Sequence, residues 1–231
     1  RLLGEADRHG NDPELFAGLV HACRYCGLFE QSIAADEEAR RLDPNIGTSV
    51  QYTLLMAGRY DQALAQATGH DSVRGMALAM IGDAAATHEL RSHAEQLSAV
   101  NMVPMARFVA GIATMLDGDV GALRAAIDAW IDAGLRDPEA LFIHGLFLTG
   151  GGDHQRGLEL MRQSVEAGYL PHDTLCRHRW LDPVRDGVEF QALADSVSAL
   201  QQAARAGDAA AAKAAMAKIK PAYSKMFLKF G

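Results

Sequence analysis

Two short runs in this chain carry side chains able to do chemistry. His172, Asp173, Cys176 and His178 crowd into one of them, and His21, Cys23 and Cys26 into the other. Both supply metal-ligand types, but neither has the form of a zinc site, which usually needs four ligands in two paired motifs. On a helix, His21 and Cys23 point in different directions because they are two residues apart. The other run is flanked by Arg177 and Arg179, and cations oppose a bound metal. Gly150-Gly151-Gly152 is glycine-rich, yet no Lys-Ser/Thr pair follows it and a helix precedes it, so it lacks phosphate-cradling grammar. No serine sits in a nucleophile elbow. Most carboxylates fall on outer faces or at caps such as Asp83, Asp119 and Asp153. The expectation is therefore a chain with no catalytic site, no cofactor and no metal.

The elements that would position any site are organised by a repeat. Pro104, Gly111, Gly118 and Asp119 recur as Pro138, Gly145, Gly152 and Asp153, each thirty-four residues later. Such a period signals stacked helical hairpins. Proline opens a helix, a glycine seven residues on permits close contact, a second glycine makes the turn, and aspartate caps the returning helix. Asp12 and Pro13 open an earlier helix in the same way, after a Gly10-Asn11-Asp12 turn. Turn glycines at 27, 58, 82, 118 and 152 divide the chain into hairpins over 13–45, 47–68, 71–98, 103–134 and 137–168. The second is truncated, because Thr68-Gly69-His70-Asp71 interrupts it. A helix over 84–97 is expected in the third. A closing unit spans 171–206, with irregular backbone to Trp180, a turn at Asp182-Pro183, buried Trp180 and Phe190, and a helix over 188–205. Residues 207–231 read as a capping helix ended by Pro221 and an apolar-basic tail.

Phe16, Leu19, Gly27, Phe29, Ile33, Ala39, Leu42, Asp43, Pro44 and Asn45 fall where the tetratricopeptide repeat carries similar residues. The first hairpin resembles that family, and departs from it at Val20, Ser32 and Asp36, where glycine, alanine and an aromatic are usual. The resemblance implies an all-α, right-handed α-solenoid of about five hairpins plus closing helices. It also implies a concave wall that holds a peptide or protein. The positions that commonly face ligand in that family are here His21, Arg24, Tyr25, Tyr52, Met76, Met80, Phe108, Ile112, Met115, Phe142 and Leu146. For Met76, Phe108 and Phe142 both a groove and a core placement are open; Tyr25 and Tyr52 lean to the groove. Only Arg24 could serve a terminal carboxylate, so an amphipathic or basic peptide fits the Met-rich wall better. The run Leu181-Asp182-Pro183, Arg185, Phe190 and Leu193 is similar to the closing repeat of helical arrays in bacterial signalling proteins, including serine/threonine kinases and nucleotidyl cyclases. That similarity implies a regulatory region belonging to a longer enzyme, and a chain that does not begin with Met is compatible with it.

Composition narrows the partner. Of 231 residues nearly half are hydrophobic and only 6% aromatic, a mixture suited to helices packed through small side chains. Net charge is −7, but all five lysines fall after residue 212. The body before Asp208 carries about −11 and the remainder about +4 by simple charge counting. An acidic body argues against a nucleic-acid groove. No apolar run approaches the roughly 20 residues of a membrane span. The start, Arg1-Leu2-Leu3-Gly4-Glu5, is charged too early for a secretion signal. Three cysteines make no disulfide framework, so a reducing, cytoplasmic setting is expected. The tail 221–231 is read as docking on the body, with a partner-binding anchor and occupation of the groove as the alternatives.

Overall fold

The computed structural model describes residues 11–67 and 72–205. Readings that fall on 1–10, 68–71 and 206–231, among them the capping helix and tail at 207–231, lie outside the described residues. Every described element is helical, and the chain divides into two compact units, Arg1–Leu135 and Arg136–Gly231.

The first unit holds α1 (Pro13–Tyr25), α2 (Phe29–Leu42), α3 (Val50–Met56), α4 (Tyr60–Gln66), α5 (Ser72–Ile81), α6 (Ala86–Ala99), α7 (Val103–Leu116) and α8 (Val120–Asp132). Each packs on its neighbour in sequence, and α1 also meets α3 as α3 meets α5. The second unit holds α9 (Pro138–Gly150), α10 (His154–Glu166), α11 (His172–Arg177), a 3-10 segment (Arg179–Val184) and α12 (Val188–Arg205). Here α9 packs on α10 and on the 3-10 segment, and α12 packs on α10 and α11.

The helix starts follow the aspartates. Asp12, Asp119, Asp137 and Asp153 each accept a backbone N–H of the first helical turn, offsetting donors that a helix start leaves unpaired. Asp83 behaves differently. Its carboxylate takes the N–H of Ala85 inside a tight turn, so α6 begins two residues later than the sequence predicts.

The ends follow the glycines. At Gly27, φ is +67°, the N–H of Gly27 reaches the carbonyl of Arg24 and that of Leu28 reaches Cys23. This pair of bonds closes the last turn only if one residue adopts the left-handed conformation. The same closure recurs at Gly58, Gly82, Gly118 and Gly152, and at Asn101, the one described non-glycine residue to adopt it.

The first glycine of the period does the other job expected of it. A Cβ on Gly111 would lie 2.9 Å from the Leu123 Cα, and one on Gly145 would lie 2.6 Å from the Gly157 carbonyl oxygen. Helix backbones therefore meet at these points, as glycine allows. Around Gly145, α9 is buried continuously from Leu141 to Thr149. A helix apolar on every side belongs to an interior.

The closing unit is more regular than its sequence implies. Residues 172–177 form a helix, and Asp182-Pro183 lies within a 3-10 segment. Phe190 is buried as expected. Trp180 is only half-buried, with its ring lying on Gly150, where a Cβ would stand 2.6 Å from the indole, and edge-on to Phe147. Gly150 is thus a seat for an indole, and Gly152 is a turn.

Candidate binding face

The structure brings four of the expected residues together on α1 and α3. His21, Arg24 and Tyr25 occupy the last two turns of α1, and Tyr52 lies in the first turn of α3. Arg24 is 1% exposed. Its Nη1 donates to the Ser49 carbonyl at 2.9 Å, to Ser49 Oγ at 3.0 Å and to Thr53 Oγ1 at 3.4 Å. Its Nη2 sits 3.1 Å from His21 Nδ1, and its guanidinium carbon lies 5.8 Å from the centre of the Tyr52 ring. A guanidinium cannot be deprotonated to escape burial, so these acceptors are what make its position tolerable.

Beneath it the polar chain continues. Thr53 Oγ1 is 2.8 Å from Ser32 Oγ, which donates to the Val20 carbonyl at 2.6 Å. Asp36, also buried, accepts both ways from Arg40 Nε at 3.0 Å and is bonded by the Thr48 hydroxyl. Val20, Ser32 and Asp36 are the departures from the repeat pattern, and all three are buried. Ser32 reaches across to α1 and α3, and Asp36 ties Arg40 of its own helix to Thr48 in the α2–α3 connection. Interior polar groups of this kind fix one arrangement of the helices when fully satisfied.

Above this plug His21 is exposed and Tyr25 and Tyr52 are half-buried. The His21 and Tyr25 rings lie 4.3 Å apart at an angle of 31°. Arg24 turns its donors into the protein, which removes it from the carboxylate-holding role considered above. What reaches solvent is an imidazole and two phenol rings on a stiff base.

Met76, Phe108 and Phe142 do not join this face. They are 2%, 3% and 0% exposed, which is the core placement of the two left open. Met80, Ile112, Met115 and Leu146 are buried as well. The reason is visible in the helices that carry them: α5 is buried from Gly75 to Met80, and Phe108 packs beside Trp130 of α8 at 6.1 Å between ring centres. Phe142 packs beside Tyr169 at 5.4 Å. The expected Met- and Phe-rich wall is interior packing.

No family model, curated protein or solved structure matches this chain. Among the described residues no group of three His, Cys, Asp or Glu could hold a metal ion. His178, one of the expected ligand types, turns inward: its Nδ1 accepts the Trp180 N–H at 3.2 Å, and burial pulls its pKa down to about 4. No helix among the described residues is long and apolar enough to cross a membrane.

A cleft of about 370 Å³ that sequence reasoning missed runs along α7 and α8, floored by Ala110, Gly111, Ala122 and Ala126, with Arg107 at its edge. It exists because the Gly111 crossing brings two helices together while their outer sides carry little bulk. Alanines spaced four apart in α8 were the available signal.

Proposed function

We propose that this chain is a non-catalytic interaction scaffold, an α-solenoid of tetratricopeptide-like hairpins that holds a peptide or protein partner. The observation that supports it most is the face built by His21, Tyr25 and Tyr52 over the buried Arg24. Rings held on a satisfied polar base lose little freedom on binding, which is the economy of a preorganised surface. Tyrosine also presents apolar area and a hydroxyl together, as partner-binding surfaces favour. The partner in this reading is a basic or amphipathic peptide, complementary to the acidic body.

The test is affinity capture from a native lysate with the unaltered chain and with Tyr25→Glu and Tyr52→Glu variants, each checked for unchanged helicity. Loss of one defined partner from both variants is the expected result. Retention of every partner by both would remove this face from consideration.

A second reading draws on the closing run. Arg185 reaches the carbonyls of Leu175, Cys176 and His178 at 2.8, 2.6 and 3.0 Å while bonded to Asp182, with Phe190 beneath it at 5.9 Å. The Leu-Asp-Pro, Arg, Phe spacing thus works as a clasp on the end of α11. This supports the similarity to terminal repeats of bacterial signalling enzymes, and with it a regulatory role beside a catalytic domain. A catalytic domain encoded ahead of Arg1 would establish that role, and an unrelated upstream sequence would end it.

A further inference from the structure

Cys176 is an exposed thiol with a base beside it. Its Sγ lies 3.6 Å from His172 Nε2 and 3.9 Å from Nδ1. Asp173 Oδ1 lies 3.7 Å from Nδ1 of the same ring. Residues 172 and 176 share a face of α11 because they are four apart. The carbonyls at a helix end would ordinarily repel a thiolate. Here Arg185 takes the carbonyls of Leu175 and of Cys176 itself, which brings a guanidinium to that end of the helix. Arg177 and Arg179 follow Cys176 within three residues of sequence, and both are exposed.

Of the other two thiols, Cys26 is exposed as Cys176 is. Cys23 is buried, and burial pushes the pKa of both Cys23 and Cys26 upward, which lowers their thiolate fraction at neutral pH.

We propose that Cys176, His172 and Asp173 form a reactive-thiol site that exchanges with small anionic disulfides. His172 Nε2 takes the thiol proton while Asp173 faces the opposite nitrogen. The Cys176 sulfur then attacks one sulfur of the disulfide, the new S–S bond forms and the old one breaks. The departing half leaves as a thiolate and recovers the proton from His172. Cys176 ends oxidised in a mixed disulfide, and the departing thiol is the reduced product. Arg177 and Arg179 give the preference for an anionic reagent. This proposal does not rest on the reading of the α1–α3 face.

The experiment uses the full reduced chain, glutathione disulfide and the neutral alkylator iodoacetamide, with labelled positions mapped by mass spectrometry. At pH 7.5 Cys176 should react about tenfold faster than Cys26 with either reagent. His172→Gln should slow Cys176 by about tenfold at pH 7.5. Replacing Arg177 and Arg179 by Gln should slow the disulfide and spare iodoacetamide. Cys176 reacting no faster than Cys26 in the unaltered chain overturns the proposal, whatever the variants do. An unchanged rate in His172→Gln at pH 7.5 overturns it equally, and an unchanged disulfide rate in the arginine variant overturns the anionic preference.

Discussion

Arg24 shows what a single buried charge demands of its surroundings. Its acceptors come from Ser49, Thr53 and His21. Removing the guanidinium takes a donor from the Ser49 carbonyl and hydroxyl and opens a void beside Thr53, which keeps Ser32 as its partner. Arg24→Ala should therefore lower stability by about 2–4 kcal/mol, read from the urea midpoint. Arg24→Lys should recover only part of this, because a single ammonium cannot replace both Nη1 and Nη2, which reach Ser49 and His21 separately. Two histidines carry a second residue-scale prediction. Burial holds His144 at about 3, with Asp137 partly opposing, and His178 at about 4. Both folded values lie below the ordinary 6.5, so the unfolded chain takes up protons first as pH falls. Their contribution is complete above about pH 6.5 and drains toward pH 4 and 3, by roughly 1.4 kcal/mol per pH unit for each. A His144→Asn, His178→Asn double variant should lose less stability between pH 7 and 5 than the unaltered chain; an equal loss would place the acid sensitivity elsewhere.

Glycine sorts by its place in an element, and substitution to alanine should resolve the classes. Gly18 lies inside α1 with nothing within 4 Å of an added Cβ. Alanine there should stabilise by about 0.5–1 kcal/mol through helix propensity. At Gly118, where φ is +99°, alanine should cost about 1 kcal/mol in backbone strain. At Gly111 and Gly145 the added methyl meets neighbouring backbone, and the loss should reach about 1–3 kcal/mol. Thermal midpoints of the four variants should fall in that order. This sorting also marks what the sequence could reveal. Turns and crossings were legible because glycine and proline act through local geometry, and helix 188–205 was legible from its apolar spacing. The start of the closing unit was not: the α11 end is held by Arg185 from ten residues away, a contact no periodicity encodes. The proposed face was half legible. Proximity of His21, Arg24 and Tyr25 follows from helical spacing, whereas Met76, Phe108 and Phe142 have the same character whether they line a groove or fill an interior.

For the whole molecule, the sequence fixes charge and helical class more firmly than use. Acidic surface charge over the body predicts that binding of a basic peptide weakens as salt rises, by screening within about 8–10 Å at physiological ionic strength. Calorimetric titration at two salt concentrations would show it, and salt-independent binding would point to apolar contact instead. The chain also has just two tryptophans, Trp130 and Trp180, and they fall in different compact units. Trp180 rests on bare backbone at Gly150 with Phe147 at its edge, so its emission should redden as soon as that seat opens. Trp130→Phe and Trp180→Phe would each leave one native fluorophore, and every measurement proposed above could then be assigned to its own half of the polypeptide without an attached dye.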